Sequence, residues 1–332
     1  MYPWSEQIWK SLVRTIDRLP HALLIHGRPG IGKLALADRV AQLLLCEAQP
    51  RGAEPCGTCA ACRWFRLGNH PDYRRVEPEA LAPPAESDGE EERKTAKASK
   101  PSTEIKIDQI RELAGFLNIA SHRGRYRIAL LRPAEDMNTH AANALLKALE
   151  EPPSSAVFIL VSHRPERLLA TIRSRCVAVP VPPPDARLAG EWLAGQGVKD
   201  ADRWLAFAGG APLRALECAQ DARGELIGEM LAALYAQDAA RLAGLARDRE
   251  ALEILAEVLH KHALDRSLSA LGVAPMFATA KAGADRGDAR SWLGFARRMG
   301  RSRQLVRHPL NPGLFAGEMV ANLPGMRPAR ES

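Results

Sequence analysis

Residues 27–34 read Gly-Arg-Pro-Gly-Ile-Gly-Lys-Leu and form a glycine-rich stretch that carries a lysine near its end. An apolar run, residues 22–25, precedes this stretch, and a helix-like segment, residues 35–45, follows it. A phosphate-binding loop (P-loop) requires this order, because its glycines let backbone N–H groups surround phosphates and the following helix N-terminus adds positive potential. A chance match to the glycine pattern is the alternative. The candidate nucleotide-contacting residues are Gly27, Gly30, Gly32 and Lys33.

Two positions that hold Mg²⁺ in ATPases of the P-loop class depart from that pattern. Leu34 follows the lysine where a Ser or Thr would bind the ion. The apolar strand-like run 126–131 continues directly into Arg132-Pro133, where such ATPases carry acidic residues. The sequence therefore predicts a degenerate P-loop that does not hydrolyse ATP, with ATP and Mg²⁺ unlikely as cofactors.

Four of the six cysteines lie close together in the sequence: Cys46, Cys56, Cys59 and Cys62. The Cys-x-x-Cys-x-x-Cys spacing of the last three is that of a metal knuckle, and Cys46 adds a fourth thiolate. Because disulfides are rare in a reducing compartment, this set predicts a structural Zn²⁺ site with no open coordination position. An iron–sulfur cluster and unliganded thiols are the alternatives.

The bulk composition is that of a soluble globular protein with two or three domains. The chain has 332 residues, of which 46% are hydrophobic and 26% charged, and no apolar run approaches the roughly 18–20 residues that span a bilayer. Residues 1–6 lack the basic and apolar regions of a signal peptide. These features predict a cytoplasmic protein without a membrane partner. The net charge of +7 fits either work near nucleic acid or ordinary solvated faces.

Strand-like and helix-like segments alternate up to about residue 180, which predicts an α/β domain with a mainly parallel sheet. The predicted strands are 22–25, 75–77, 126–131, 156–162 and 176–179, and the predicted helices are 35–45, 107–117 and 138–149. Residues 81–103 are rich in Pro, Ala, Ser, Glu and Lys, which predicts a disordered loop. Beyond the proline-rich connector 180–184 the pattern is helical, which predicts a separate bundle.

The triplet Ser174-Arg175-Cys176 lies at a predicted helix-to-strand junction. An arginine at such a junction can project into a neighbouring subunit and stabilise charge on a transferring phosphoryl group. Arginine fingers of this kind are worth on the order of 10³–10⁵ in rate. An ion pair within the chain is the alternative role for Arg175.

Three features together resemble those of the bacterial clamp-loader subunits of DNA polymerase III, which are AAA+ proteins. They are the segment 141–153 with its Leu-Glu-Glu-Pro-Pro ending, the Ser-Arg-Cys triplet and the cysteine cluster. The resemblance covers essentially the whole chain. It implies an AAA+ domain over residues 1–183 with a zinc-binding insertion at 46–62, a small helical lid over 184–222 and a C-terminal all-α collar over 223–332.

The resemblance also implies a set of partners. The collar would assemble this chain with gamma or tau motor subunits and a delta subunit into a hetero-pentamer. That ring opens the sliding clamp and places it on primed DNA, as part of a DNA-directed DNA polymerase (nucleotidyltransferase) holoenzyme. Such a chain takes part in DNA replication without its own ATPase activity.

The departures at Leu34 and Arg132-Pro133 separate this chain from the motor subunits, which keep a hydroxyl after the lysine and an Asp-Glu pair at the strand end. They match the subunit type that lacks ATPase motifs while keeping the Ser-Arg-Cys arginine. The resemblance therefore implies a non-hydrolysing stator whose Arg175 acts in trans on the ATP of the adjacent motor subunit. Arg214 lies one position from where motor subunits carry a nucleotide-sensing arginine, and that role is not assigned to it.

Two other functions remain open from the sequence. The chain could be an active clamp-loader ATPase, with Lys33 binding ATP and Glu135 or Asp136 serving as displaced acids. It could instead be a zinc-containing DNA-binding protein that uses its basic clusters at 123–132 and 297–307. Turnover by the isolated chain would favour the first, and salt-sensitive DNA affinity of the free chain would favour the second.

Overall fold

A five-stranded parallel sheet forms the centre of the first of two structural units, residues 1–183; the second unit is residues 184–332. The computed structural model describes residues 1–48, 53–82, 101–119, 121–122, 126–220, 222–279, 288–305 and 311–325. The strands are β1 (Ala22–His26), β2 (Tyr73–Val76), β3 (Arg127–Leu131), β4 (Ala156–Ser162) and β5 (Val177–Pro180), in the order β2-β3-β4-β1-β5.

The three central strands are apolar because both faces of the sheet are covered. Every residue of β3 and β4, and four of the five in β1, is buried. A parallel sheet covered on both faces requires near-continuous apolar runs of this kind. The prediction of a mainly parallel sheet is therefore confirmed. The strand predicted at 75–77 is observed at Tyr73–Val76. It starts earlier than predicted because Tyr73 already pairs with Ile128 of β3.

Six α-helices accompany the sheet within the described part of this unit: α1 (Glu6–Arg14), α2 (Lys33–Leu45), α3 (Ala60–Arg66), α4 (Ile107–Asn118), α5 (Thr139–Glu150) and α6 (Ala170–Arg173). Helix α5 begins where the Asn138 side chain accepts a hydrogen bond from the Ala141 N–H. It ends at Glu150, just before Pro152-Pro153, which cannot continue a helix. Leu113, Leu145 and Phe158 belong to one core that joins α4 and α5 to the sheet.

The predicted loop 81–103 can be followed only at its two ends, since residues 83–100 lie outside the described residues. The ends are held together: the Ala80 N–H donates to the Ser102 carbonyl over 3.0 Å. The Ser102 N–H donates to Glu79, whose carboxylate also pairs with Lys106.

The described part of the second unit is helical. Its helices are α7 (Ala186–Gly195), α8 (Ala201–Phe207), α9 (Pro212–Gln220), α10 (Ala222–Tyr235), α11 (Ala239–Gly244), α12 (Arg249–Ala270), α13 (Ala289–Leu305) and α14 (Pro312–Ala321). Asp185 caps α7 by accepting hydrogen bonds from the Arg187 and Leu188 N–H groups. A small core joins α7, α8 and α9, and a larger one joins α8–α14. Within the described residues, no helix is long and apolar enough to cross a bilayer.

Candidate functional site

The glycine-rich stretch forms the loop that connects β1 to α2. Gly30 and Gly32 have φ values of +75° and +87°, a left-handed backbone that side chains disfavour. Lys33 begins α2, is 3% exposed, and its Nζ donates to the Arg28 carbonyl over 2.5 Å. Burial lowers the pKa of Lys33 to about 8, although the nearby Glu135 carboxylate acts in the opposite direction. The loop therefore has the strand–loop–helix form with a lysine at the helix start, and phosphate binding by it stays a prediction.

The N-terminal residues pack directly on this loop. The Tyr2 ring lies so close to Gly32 that a Cβ there would be 2.3 Å from Tyr2 Cδ2. Trp4 stacks on Tyr2 with ring centroids 5.0 Å apart, and its Nε1 donates to the Ile31 carbonyl over 2.9 Å. No periodic pattern in the sequence marks this contact, because Tyr2 and Trp4 lie about 30 positions from the loop that they touch.

The two positions that bind Mg²⁺ in P-loop ATPases carry neither a hydroxyl nor a carboxylate here. Leu34 is half-buried in the first turn of α2 and offers no oxygen. At the end of β3, Arg132 Nη2 lies 2.6 Å from Glu77 Oε2, so a cation occupies the place of the expected acid. Glu135 follows in a 3₁₀ turn, Ala134–Asp136, and its Oε1 accepts the His163 N–H over 2.9 Å. The Glu135 carboxylate lies near enough to Lys33 to act on its pKa. It follows the end of β3 and is thus displaced from the position where P-loop ATPases carry an acid.

Arg175 lies between the end of α6 and the start of β5. Its Nη2 is 2.7 Å from Glu150 Oε1, at the end of α5, and its Nη1 donates to the Thr171 carbonyl over 3.0 Å. This is the intrachain ion pair that the sequence left open as an alternative. The Arg175 side chain is 34% exposed and that of Glu150 is 43% exposed, so solvent reaches both partners.

The four clustered cysteines converge on one point, with their Sγ atoms all within 4.8 Å of one another. Cys46 follows α2, Cys59 caps α3, and Cys62 lies in the first turn of α3. Backbone N–H groups point at the sulfurs: that of Cys59 lies 3.3 Å from Cys56 Sγ, and that of Cys62 lies 3.4 Å from Cys59 Sγ. The Cys59 N–H, together with the backbone N–H and the hydroxyl of Thr58, lowers the pKa of Cys56 to about 6. Four cysteine sulfurs this close to one another fit a tetrahedral metal site without an open position.

Ion pairs and hydrogen bonds connect the cysteine module to its surroundings. Arg39 of α2 pairs with Glu54, and Arg66 of α3 donates to the Gly57 carbonyl. These contacts could not be predicted from the sequence. Their partners lie 15 and 9 positions apart, and no periodic pattern marks such pairs.

Comparison with known proteins identifies the family. A family model described as DNA polymerase III, delta subunit, matches residues 4–185, more than half of the chain. A DNA polymerase III subunit delta' of Pseudomonas aeruginosa is 42% identical over 219 residues, and that of Escherichia coli K12 is 36% identical over 220 residues. The chain belongs to the DNA polymerase III delta prime family. Each alignment covers 65% of this chain, and the chain spans 60% of the length of each relative.

The fold also agrees with that of a solved structure, a DNA polymerase III gamma subunit-related protein from Thermotoga maritima. That match has a TM-score of 0.51 at 17% identity and covers 94% of this chain and 97% of the other. The predicted AAA+ fold class is thereby confirmed for this member of the delta prime family, with its parallel sheet, its four-cysteine module and its C-terminal helices. The role of each site residue stays a prediction.

Proposed function

We propose that this chain is the delta prime subunit of the DNA polymerase III clamp loader, acting as a non-hydrolysing stator. The observation that carries this proposal is the pairing of an intact cradle around Lys33 with the loss of both Mg²⁺-holding positions. Leu34 supplies no hydroxyl, and Arg132 is neutralised by Glu77 at the strand end. Without oxygen ligands from the protein, Mg²⁺ cannot bridge the phosphates in the usual way.

In this proposal Arg175 acts on the ATP of an adjacent motor subunit. Its guanidinium is partly exposed and is held by one carboxylate and one carbonyl. Exposed ion pairs are worth about 0–1 kcal/mol, so Glu150 is a weak competitor. A triphosphate from a neighbouring subunit carries more negative charge and can displace Glu150 as the partner. The ion pair within the chain is then the resting state of the finger.

The test uses a clamp loader reconstituted from this chain with motor and delta subunits, sliding clamp and primed DNA. Replacing Arg175 with Ala should leave assembly intact, while the neighbouring ATP site loses on the order of 10³ in rate. Steady-state ATPase and clamp-loading rates measure the loss. Glu150→Gln is the matched control, because it removes the ion pair but keeps the arginine, and it should retain full ATPase. Equal rates for Arg175→Ala and wild type would overturn the finger role.

An active ATPase is the second candidate, because the structure brings Glu135 close to Lys33. Its Oε2 is buried and forms no hydrogen bond with the residues that the structure describes. If the isolated chain turns over ATP, and Lys33→Ala and Glu135→Gln both abolish that turnover, the stator proposal fails. We expect no turnover above background, since a single displaced carboxylate does not replace both Mg²⁺ contacts.

We also propose that the ion at the four cysteines is Zn²⁺ with a purely structural role. Four cysteine ligands would fill a tetrahedral coordination shell and leave no open position. The residues between Cys56 and Cys62, Gly57-Thr58 and Ala60-Ala61, are small and neutral, which argues against a contact with DNA. Metal analysis of protein purified without chelator should give about one zinc per chain. Iron together with visible charge-transfer absorption would instead indicate an iron–sulfur cluster.

A further inference from the structure

A buried carboxylate in α12, that of Glu257, accepts hydrogen bonds from three cationic side chains on three helices. Glu257 is 5% exposed. Its Oε1 accepts from Arg214 Nη2 over 2.9 Å and from Lys261 Nζ over 2.6 Å, and its Oε2 accepts from Arg223 Nη2 over 3.2 Å. Arg214 lies in α9 and Arg223 in α10, so the contacts connect α9, α10 and α12 at one point. Both Glu257 oxygens are therefore satisfied.

This cluster is buried, which distinguishes it from an ion pair on the surface. Lys261 is 8% exposed, and its ammonium lies 3.8 Å from the centroid of the Phe207 ring in α8. Removing one member of a buried ionic cluster leaves the other charges without compensation, which is far more costly than losing an exposed pair. Since Glu257 is the only anion among the four groups that make these contacts, its loss leaves three cations facing one another.

The contacts lie where two hydrophobic cores of the second unit meet. Leu205 and Ala215, on α8 and α9, belong to the small core, whereas Phe207 and Cys218, on the same two helices, belong to the large core. Apolar packing between two such layers tolerates small shifts and rotations. Directional ionic contacts at a single carboxylate do not tolerate them, and they specify one arrangement.

We propose that Glu257 is a buried ionic latch that holds α7–α9 in one fixed position on α10 and α12. In this arrangement Arg214 is committed to the bundle, because its guanidinium binds a carboxylate 43 positions later in the chain. The latch engages the Arg214 guanidinium within the second unit, and it makes α7–α9 and the rest of the bundle move as one body. This inference does not depend on the role of Arg175.

Hydrogen exchange measured by mass spectrometry on the full-length protein tests the latch. Glu257→Gln keeps the shape of the side chain and removes its charge, so amide exchange in α9 and in the first turn of α10 should accelerate at least tenfold. Arg214→Met removes only one cation and should accelerate exchange in α9 alone, by a smaller factor. Exchange in β1 and β4 should not change. The matched control is Glu253→Gln, an exposed carboxylate one turn earlier in α12, which should behave as wild type.

Two results would overturn the latch. One is wild-type protection of α9 in both Glu257→Gln and Arg214→Met. The other is faster exchange spread evenly over α9, α13 and α14, which would indicate general destabilisation. If Glu257→Gln does not fold, Arg214→Met decides the question, since the Arg214 side chain is 36% exposed and its replacement leaves two cations on Glu257.

Discussion

At the scale of single residues, two glycines with positive φ show which requirements belong to the backbone and which to packing. Gly32 and Gly68 both have positive φ, +87° and +78°. A Cβ on Gly32 would overlap the Tyr2 ring, whereas a Cβ on Gly68 would meet nothing within 4 Å. The two positions therefore separate the cost of a left-handed backbone from the cost of a steric clash.

Gly68→Ala should lower the free energy of unfolding by about 1 kcal/mol, the cost of a left-handed alanine. Gly32→Ala should cost more, roughly 2–4 kcal/mol, because Tyr2 has to move as well. Urea unfolding followed by circular dichroism measures both. Adding Tyr2→Ala to Gly32→Ala should recover only the packing part. Equal losses at the two glycines would contradict the described contact with Tyr2.

Glu257 gives a pH prediction at the same scale. Burial would raise the pKa of Glu257. The charges of Lys261 and Arg214, with a further contribution from Arg303, outweigh burial and lower the pKa from its unperturbed value of 4.5 to about 2. Because the pKa is lowered on folding, the stabilisation is complete above pH 4.5 and is lost as pH falls toward 2. This loss amounts to roughly 2–3 kcal/mol. Unfolding of the Glu257→Gln variant, measured from pH 5 to pH 2, should lack this component. An identical pH dependence in the variant and wild type would contradict it.

At the scale of elements, we expect the cysteine module to depend on the proposed metal more than on its own packing. Helix α3 has only seven residues, too few for stability in isolation, and Ala61 and Cys62 are its buried residues. The four sulfurs lie within 4.8 Å of one another, so one metal ion could bind all of them. Such an ion would contribute its binding free energy to the folding of this element.

Cys59→Ser should reduce bound zinc to well below one per chain and remove hydrogen-exchange protection from α3, since one ligand of four is lost. Metal analysis and exchange of the peptide 60–66 measure the two effects. Cys218→Ala is the control, because Cys218 lies in the large core of the second unit and is not one of the four converging cysteines. Full zinc content in Cys59→Ser would show that this cysteine is not a ligand.

At the scale of the whole molecule, the two units respond to different perturbations. The cysteine module lies in residues 1–183 and the Glu257 latch in residues 184–332. A chelator should therefore lower the unfolding temperature of the first unit alone, and Glu257→Gln that of the second alone. Differential scanning calorimetry, with exchange data to assign each transition, measures both. A chelator-induced shift of both transitions together would show that the two units unfold as one.

Much of this architecture follows from local patterns in the sequence. The strand at 156–162 was predicted with its observed bounds, the helix at 107–117 ends one residue before the observed one, and the helix at 138–149 is shifted by one residue at both ends. A buried parallel strand has to be continuously apolar, and an amphipathic helix repeats with its turn. Such signals lie within ten to fifteen consecutive residues. The cysteine cluster is equally local, since three of its four members fall within seven positions.

Local patterns were therefore enough to predict the strands, the glycine-rich loop between β1 and α2 and the four-cysteine set, because each is written in residues close together in the chain. Which charges meet depends instead on the folded arrangement. Arg175 lies on Glu150, Arg132 on Glu77, and Glu257 collects Arg214 and Arg223 from 43 and 34 positions away. No periodicity marks such pairs, because a salt bridge depends on where packing places two side chains and not on their spacing in the chain.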